Sequence, residues 1–209
     1  MSYCLASPGH PWHGPYHDSE YGFPIDDDDR LFERLILEIN QAGLSWLTIL
    51  KKKDGFVAAY DNFHIDTVAA YGEAERQRLL SDASIIRNKL KVNAAIENAK
   101  TIQSLRDSHG SFKGWLDAHH PLSKDDWVKL FKKTFKFTGG EITGEFLMST
   151  GYLPGAMMRT ARYSSVSRRS GRPGWTRRNR RPEPQFALLS GRWLCDPDRG
   201  MLDFATDTH

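Results

Sequence analysis

From Leu31 to Thr150 the apolar residues of this 209-residue chain return every three or four positions, segment after segment. That period belongs to helices with one buried face, and no stretch reads as the alternating pattern of a sheet. The expected fold class is all-α. An Asp run at 26–29 supplies an N-cap and first-turn negative charge for a helix carrying Leu31, Phe32, Leu35, Ile36 and Ile39 on one face, with Gly43 placed to end it. Leu44 to Lys53 follows as a second helix, with Trp46, Leu47 and Leu50 at helical spacing, and Asp54-Gly55 is expected to break it. Phe56 to Phe63, Ile65 to Tyr71 and Glu73 to Asp82 read as shorter helices, and Ser84 to Leu105 as a turn leading into a long amphipathic one. Short helices at 111–120 and 123–134, then a last one from Gly140 to Thr150, complete the series. Residues 1–25, rich in Pro, Gly, His and aromatics, show neither period and read as an ordered, irregular arm.

Charge divides the chain at Ala156. Residues 1–156 hold 18 Lys+Arg against 21 Asp+Glu, whereas residues 157–209 hold 11 against 5, and all eleven bases there are Arg. The chain is therefore read as a domain over 1–156 and a basic tail over 157–209 whose Arg-, Ser- and Pro-rich, aperiodic composition predicts disorder. A tail of this kind suits a nucleic-acid partner. No run reaches the ~18 apolar residues of a membrane span, and the N-terminus lacks the n- and h-regions of a signal peptide. A cytoplasmic protein with no membrane partner is expected. Cys4 and Cys195 are too few for a disulfide framework; Cys4, set among histidines, points to metal ligation or a free thiol, and Cys195 to an incidental thiol.

Several motifs resemble the DNA-3-methyladenine glycosylase I family of the helix-hairpin-helix superfamily. They are Cys4, YHDSEYG at 16–22, LFERLILEINQAGLSWLTILKK at 31–52, ASIIRNKLKVNAAIENA at 83–99, and FKFTGG with GEFLMSTGYLPGA running to Ala156. Together they cover most of residues 1–156. The resemblance implies a monofunctional base-excision repair enzyme that acts as a monomer on double-stranded DNA containing alkylated purines and hydrolyses the N-glycosidic bond of 3-methyladenine. Such chemistry asks for aromatic faces to stack an electron-poor ring and a carboxylate to meet its positive charge. By resemblance Glu38 is that carboxylate and the catalytic residue, and Tyr16 and Trp46 are the stacking aromatics. Periodicity adds support for Glu38, which lies in the C-terminal half of its helix, where the dipole disfavours negative charge, and borders the apolar face. No residue is assigned as general base. Tyr21 stands where the family usually has Trp, Ala6 where an aromatic is common, and His13 where Tyr is common, so the pocket rim departs from the family pattern.

The same resemblance makes Ser84 to Val92 the DNA-binding hairpin, with Ser84 where Gly is expected and with Arg87, Asn88, Lys89 and Lys91 as phosphate contacts. Lys51 to Lys53 form a second basic patch. It also implies a structural zinc joining the arm to the C-terminus, with Cys4 and His17 as two of four ligands. The second pair, a His-x-x-x-Cys after the last helix, falls on Met157 and Ala161, neither of which ligates zinc usefully. Back-translating Ala156 to Tyr163 and reading one base earlier yields His-Asp-Glu-Asp-Cys-Pro-Val for suitable synonymous codons. The tail therefore has two readings, a nucleic-acid-binding segment or a stretch out of frame after a one-base deletion. A damaged-DNA-binding protein with little turnover is the alternative function, suggested by the altered rim and the missing ligands. A module that binds nucleic acid through the tail is a third.

Overall fold

The computed structural model describes residues 7–155, so Cys4, Ala6 and the tail at 157–209 lie outside the described residues. Among the described residues every regular element is helical, as the period requires. In chain order they are α1 (His13–Ser19), α2 (Asp28–Gln41), α3 (Trp46–Ala59), a tight turn (Asp61–Phe63), α4 (Ile65–Ala69), α5 (Glu73–Ser81), α6 (Lys89–His109), α7 (Phe112–His119), α8 (Lys124–Thr134) and α9 (Gly140–Ser149).

Helix α2 is the centre of the molecule. Its apolar side chains from Leu31 to Ile39 are buried, and α3, α4, α6, α7 and α9 lie against it. The Asp run before it does more than cap one helix. Asp27 accepts from the Arg30 amide at 2.9 Å and caps α2 itself. Asp28 accepts from the amides of Phe112 and Lys113 at 2.8 and 2.9 Å, which satisfies the first turn of α7, and Asp29 accepts from the Ile65 amide that opens α4. Three neighbouring carboxylates thus fix three helix starts, each placing negative charge where free N–H groups converge. Behind this frame Phe112, Trp115, Trp127, Phe131, Phe135 and Phe146 form a buried aromatic core joining α7, α8 and α9.

Two local expectations are corrected. Helix α3 does not stop at Asp54-Gly55 but runs through to Ala59. A Cβ at Gly55 would lie 2.7 Å from the Ser84 carbonyl oxygen, so this glycine lets the hairpin loop dock against the helix and ends nothing. The arm, in turn, is not wholly irregular, because α1 lies within it. The helix starts on a histidine cap that composition does not advertise: His10 Nδ1 accepts from the amides of Trp12 and His13 at 3.2 and 3.1 Å.

Candidate base-binding site

Glu38 is a buried acid of α2. It lies one turn beyond Arg34 on α2 and is only 4% exposed, yet no hydrogen bond or ion pair among the described residues uses its carboxyl. Burying a carboxylate without donors is expensive, and the group responds by holding its proton. Burial pushes its pKa up to about 8, with Arg34 opposing the shift and Glu145 on α9 adding to it.

Arg34 is occupied elsewhere. Its guanidinium donates to the Tyr16 hydroxyl at 2.5 Å and to Glu20 at 2.9 Å, and its Cζ lies 4.7 Å from the centre of the Tyr16 ring. Glu20 also accepts from Lys53 of α3, with Nζ 2.7 Å from both oxygens, and Lys53 lies 3.6 Å from Glu33. This partly buried network ties the arm to α2 and α3 and so fixes Tyr16, itself buried. Trp46, the first residue of α3, meets Tyr16 with ring centres 5.1 Å apart, and Tyr21 meets Tyr16 from another side at 5.7 Å. Among the described residues the buried Trp46 indole N–H has no hydrogen-bond partner. Ser45 caps α3 by accepting from the Thr48 amide and so sets where Trp46 enters the helix. A neutralised acid, an unused N–H and joined aromatic faces suit a flat, polar, positively charged ring.

The hairpin residues divide. Ser84, Arg87, Asn88 and Lys89 are exposed around the turn into α6. Asp82 accepts from the Ser84 amide at 2.8 Å and so shapes the turn without the expected glycine. Asn88 caps α6, accepting from the amides of Leu90 and Lys91. Lys91 departs from its expected place as a phosphate contact. It is 5% exposed, and its ammonium donates to the carbonyls of Asn40 and Ala42 at 2.9 and 2.7 Å, the open C-terminal end of α2. Burial pulls its pKa down. Its role here is structural, joining the hairpin helix to the helix that carries Glu38. In the second expected patch Lys52 donates to the Ala83 carbonyl and Lys53 to Glu20, which leaves Lys51 exposed.

Of the two expected zinc ligands, Cys4 lies outside the described residues. His17 places Nδ1 2.9 Å from an Asp18 oxygen. Among the described residues no group of three or more His, Cys, Asp or Glu is placed to hold a metal, so the described donors do not make up a zinc site. Tyr21, which the resemblance places on the rim, donates to Glu145 at 3.5 Å, and Glu145 is a neighbour of the site that the site assignment lacked. Nothing in the spacing of GGEITGEFLMS separates Glu145 from an ordinary exposed helix glutamate; only the packing of α9 on α2 does.

The family profile described as methyladenine glycosylase matches residues 7–125, more than half of the chain. The chain belongs to the methyladenine glycosylase family. A curated relative, DNA-3-methyladenine glycosylase 1 of Escherichia coli (strain K12), is 36% identical over 160 residues, which cover 68% of this chain and 86% of the relative. The solved structure on 3-methyladenine recognition by 3-methyladenine DNA glycosylase I from Staphylococcus aureus is 28% identical, with a TM-score of 0.68 over 77% of this chain and 96% of its own. A crystal structure of 3-methyladenine DNA glycosylase I is 32% identical, with a TM-score of 0.65 over 72% of this chain and 93% of its own. The all-helical class of the methyladenine glycosylases is thus shared by this chain.

Proposed function

We propose that the protein is a DNA base-excision repair glycosylase that hydrolyses the N-glycosidic bond of 3-methyladenine in alkylated duplex DNA. The observation that carries this reading is the buried carboxyl of Glu38, without a hydrogen bond among the described residues, one turn from the Arg34 that holds Tyr16 against Trp46. The relatives named above, a curated enzyme and a recognition structure, support the substrate.

Adenine alkylated at N3 is cationic within DNA, so its glycosidic bond is already weakened and the protein need mainly extract, hold and shield it. Tyr16 and Trp46 stack the flipped ring, and Glu38 meets its charge and exocyclic amine. The resting carboxyl holds its proton at neutral pH; the arriving cation favours the ionised form, so binding expels that proton. Charge then develops on the sugar as the base leaves, and water adds to it. Ser84, Arg87, Asn88 and Lys89 face the DNA backbone at the hairpin. Leu44, Leu90 and Phe137, apolar yet exposed, are grouped around Lys91 and suit the gap that a flipped nucleotide leaves in the stack. Zinc, if bound through Cys4 and His17, is a tie for the arm and enters no step. The domain over 1–156 carries the site, and the tail over 157–209 takes no part in it.

The test is release of 3-methyladenine from methylated DNA. The unsubstituted chain is expected to release it, and Glu38→Gln and Trp46→Ala to lose at least a hundredfold in kcat/KM while keeping affinity for undamaged duplex. Unchanged excision by both variants would remove these residues from the site; affinity for damaged duplex without release would favour a binding protein.

A further inference from the structure

Glu145 is the titratable side chain near Glu38 that the proposed mechanism leaves unused. It sits on α9, which lies across α2, and is partly buried. Its one hydrogen-bond partner among the described residues is the Tyr21 hydroxyl, which donates at 3.5 Å, a long bond that offsets little of its charge. Tyr21 in turn borders Tyr16, and Tyr16 borders Trp46, so Glu145 stands at the end of a row of rings that leads inward. Two carboxyls, one buried on α2 and one partly buried on α9, therefore lie on helices packed together, near enough for Glu145 to raise the pKa of Glu38.

We propose that Glu145 is a second acid of the base pocket and a specificity-determining residue, which with Glu38 selects purines that carry a positive charge over neutral ones. The inference rests on the glycosylase reading of the site. Stacking alone does not separate an alkylated base from a normal one, because every base offers a face to Tyr16 and Trp46. Charge does separate them, and a second acid adds to the discrimination that one supplies. The pair also acts on itself. The negative charge of Glu145 makes ionisation of Glu38 harder, so in the empty pocket Glu38 retains its proton, and a bound cation relieves the repulsion. Both pKa values are raised, that of Glu38 chiefly by burial, against Arg34 and with Glu145, and that of Glu145 chiefly by burial and then by Glu141. The charged and titratable groups around the pair are Arg34 on α2, Tyr21 on the arm, Glu141 on α9 and Lys124 on α8. Arg34 is bound to Tyr16 and Glu20, and Lys124 lies 3.8 Å from Glu141, so neither forms an ion pair with the two acids.

The experiment compares the full-length protein with Glu145→Gln and Tyr21→Phe, measuring kcat/KM for 3-methyladenine release from pH 6 to 9. Affinity for a duplex with a tetrahydrofuran abasic analogue, which offers no base, is measured alongside. Glu145→Gln is expected to lose about tenfold at pH 9, where Glu38 is ionised in both proteins and only the lost attraction remains. Its rising limb should move to lower pH, because Glu38 ionises more easily without a negative neighbour, so the loss shrinks toward pH 6. Abasic-duplex affinity should not change, which also reports that the variant is folded. Tyr21→Phe keeps both acids and should keep the pH profile. A Glu145→Gln profile that superimposes on the unsubstituted one overturns the inference. So does a Tyr21→Phe variant that reproduces the Gln effects, since Glu145 would then act only as a partner for Tyr21. Absence of release by the unsubstituted chain and equally by the chain with the neighbouring reading frame restored after Ala156 overturns the glycosylase reading and this inference with it.

Discussion

At the scale of single residues, Glu38 shows function and stability opposed. Its folded pKa is raised to about 8 from an ordinary 4.5, so between those values the folded state binds more protons than the unfolded one. Stability must then fall as pH rises through that window. Glutamine reproduces the neutral form without the penalty. Glu38→Gln is therefore expected to be more stable than the unsubstituted protein at pH 8, by up to about 4 kcal/mol, and nearly equal to it at pH 4.5. Thermal melts at the two pH values check this. A variant equally stable at both would mean that the carboxyl is solvated in the empty pocket. Sequence reading reached Glu38 through the family resemblance of the segment that carries it, with its place beside an apolar helix face as support. It did not reach Glu145, whose burial comes from α9 crossing α2, a contact between residues about a hundred positions apart.

Among the elements, the joint between α2 and α6 matters most, because it connects the DNA-facing hairpin to the helix that holds the base. Lys91 makes that joint with two charge-assisted hydrogen bonds to the carbonyls that end α2. Lys91→Met is expected to cost about 2 kcal/mol, since both carbonyls lose their donor, and to leave the salt dependence of DNA binding unchanged. Arg87→Ala and Lys89→Ala, at exposed positions, are expected to do the reverse, flattening the salt slope by about one each with little change in melting temperature. Equal salt effects from all three would return Lys91 to the DNA surface. The helices themselves were legible in outline because their apolar period survives without context. What the period could not carry was a residue's duty to a distant element: Asp28 capping α7, Gly55 making room for Ser84, Lys91 closing α2. In each case the residue type is ordinary where it stands in sequence and is explained only by the helix it faces.

For the whole molecule, the question is what the arm needs in order to hold Tyr16. The family resemblance places a zinc tie there, with Cys4 and His17 on one side and a His-x-x-x-Cys on the other that this sequence replaces by Met157 and Ala161. The described residues supply a second means. Arg34 on Tyr16, Glu20 between Arg34 and Lys53, and Glu33 beyond them join the arm to α2 and α3 with no metal in the chain of contacts. Such partly buried, multiply bonded charges hold geometry better than exposed pairs, because each carboxylate serves two cations at once. Restoring the neighbouring reading frame after Ala156 tests which tie governs. The coding DNA should yield His and Cys four residues apart in that frame, and the restored chain should bind about one zinc, against less in the printed chain. If the ionic network suffices, the restored chain gains thermal stability that rises with the logarithm of zinc concentration but excises 3-methyladenine within about threefold of the printed chain. Excision that appears only with zinc would instead make the metal the condition for placing Tyr16, and the Arg34–Glu20–Lys53 network a consequence of that placement.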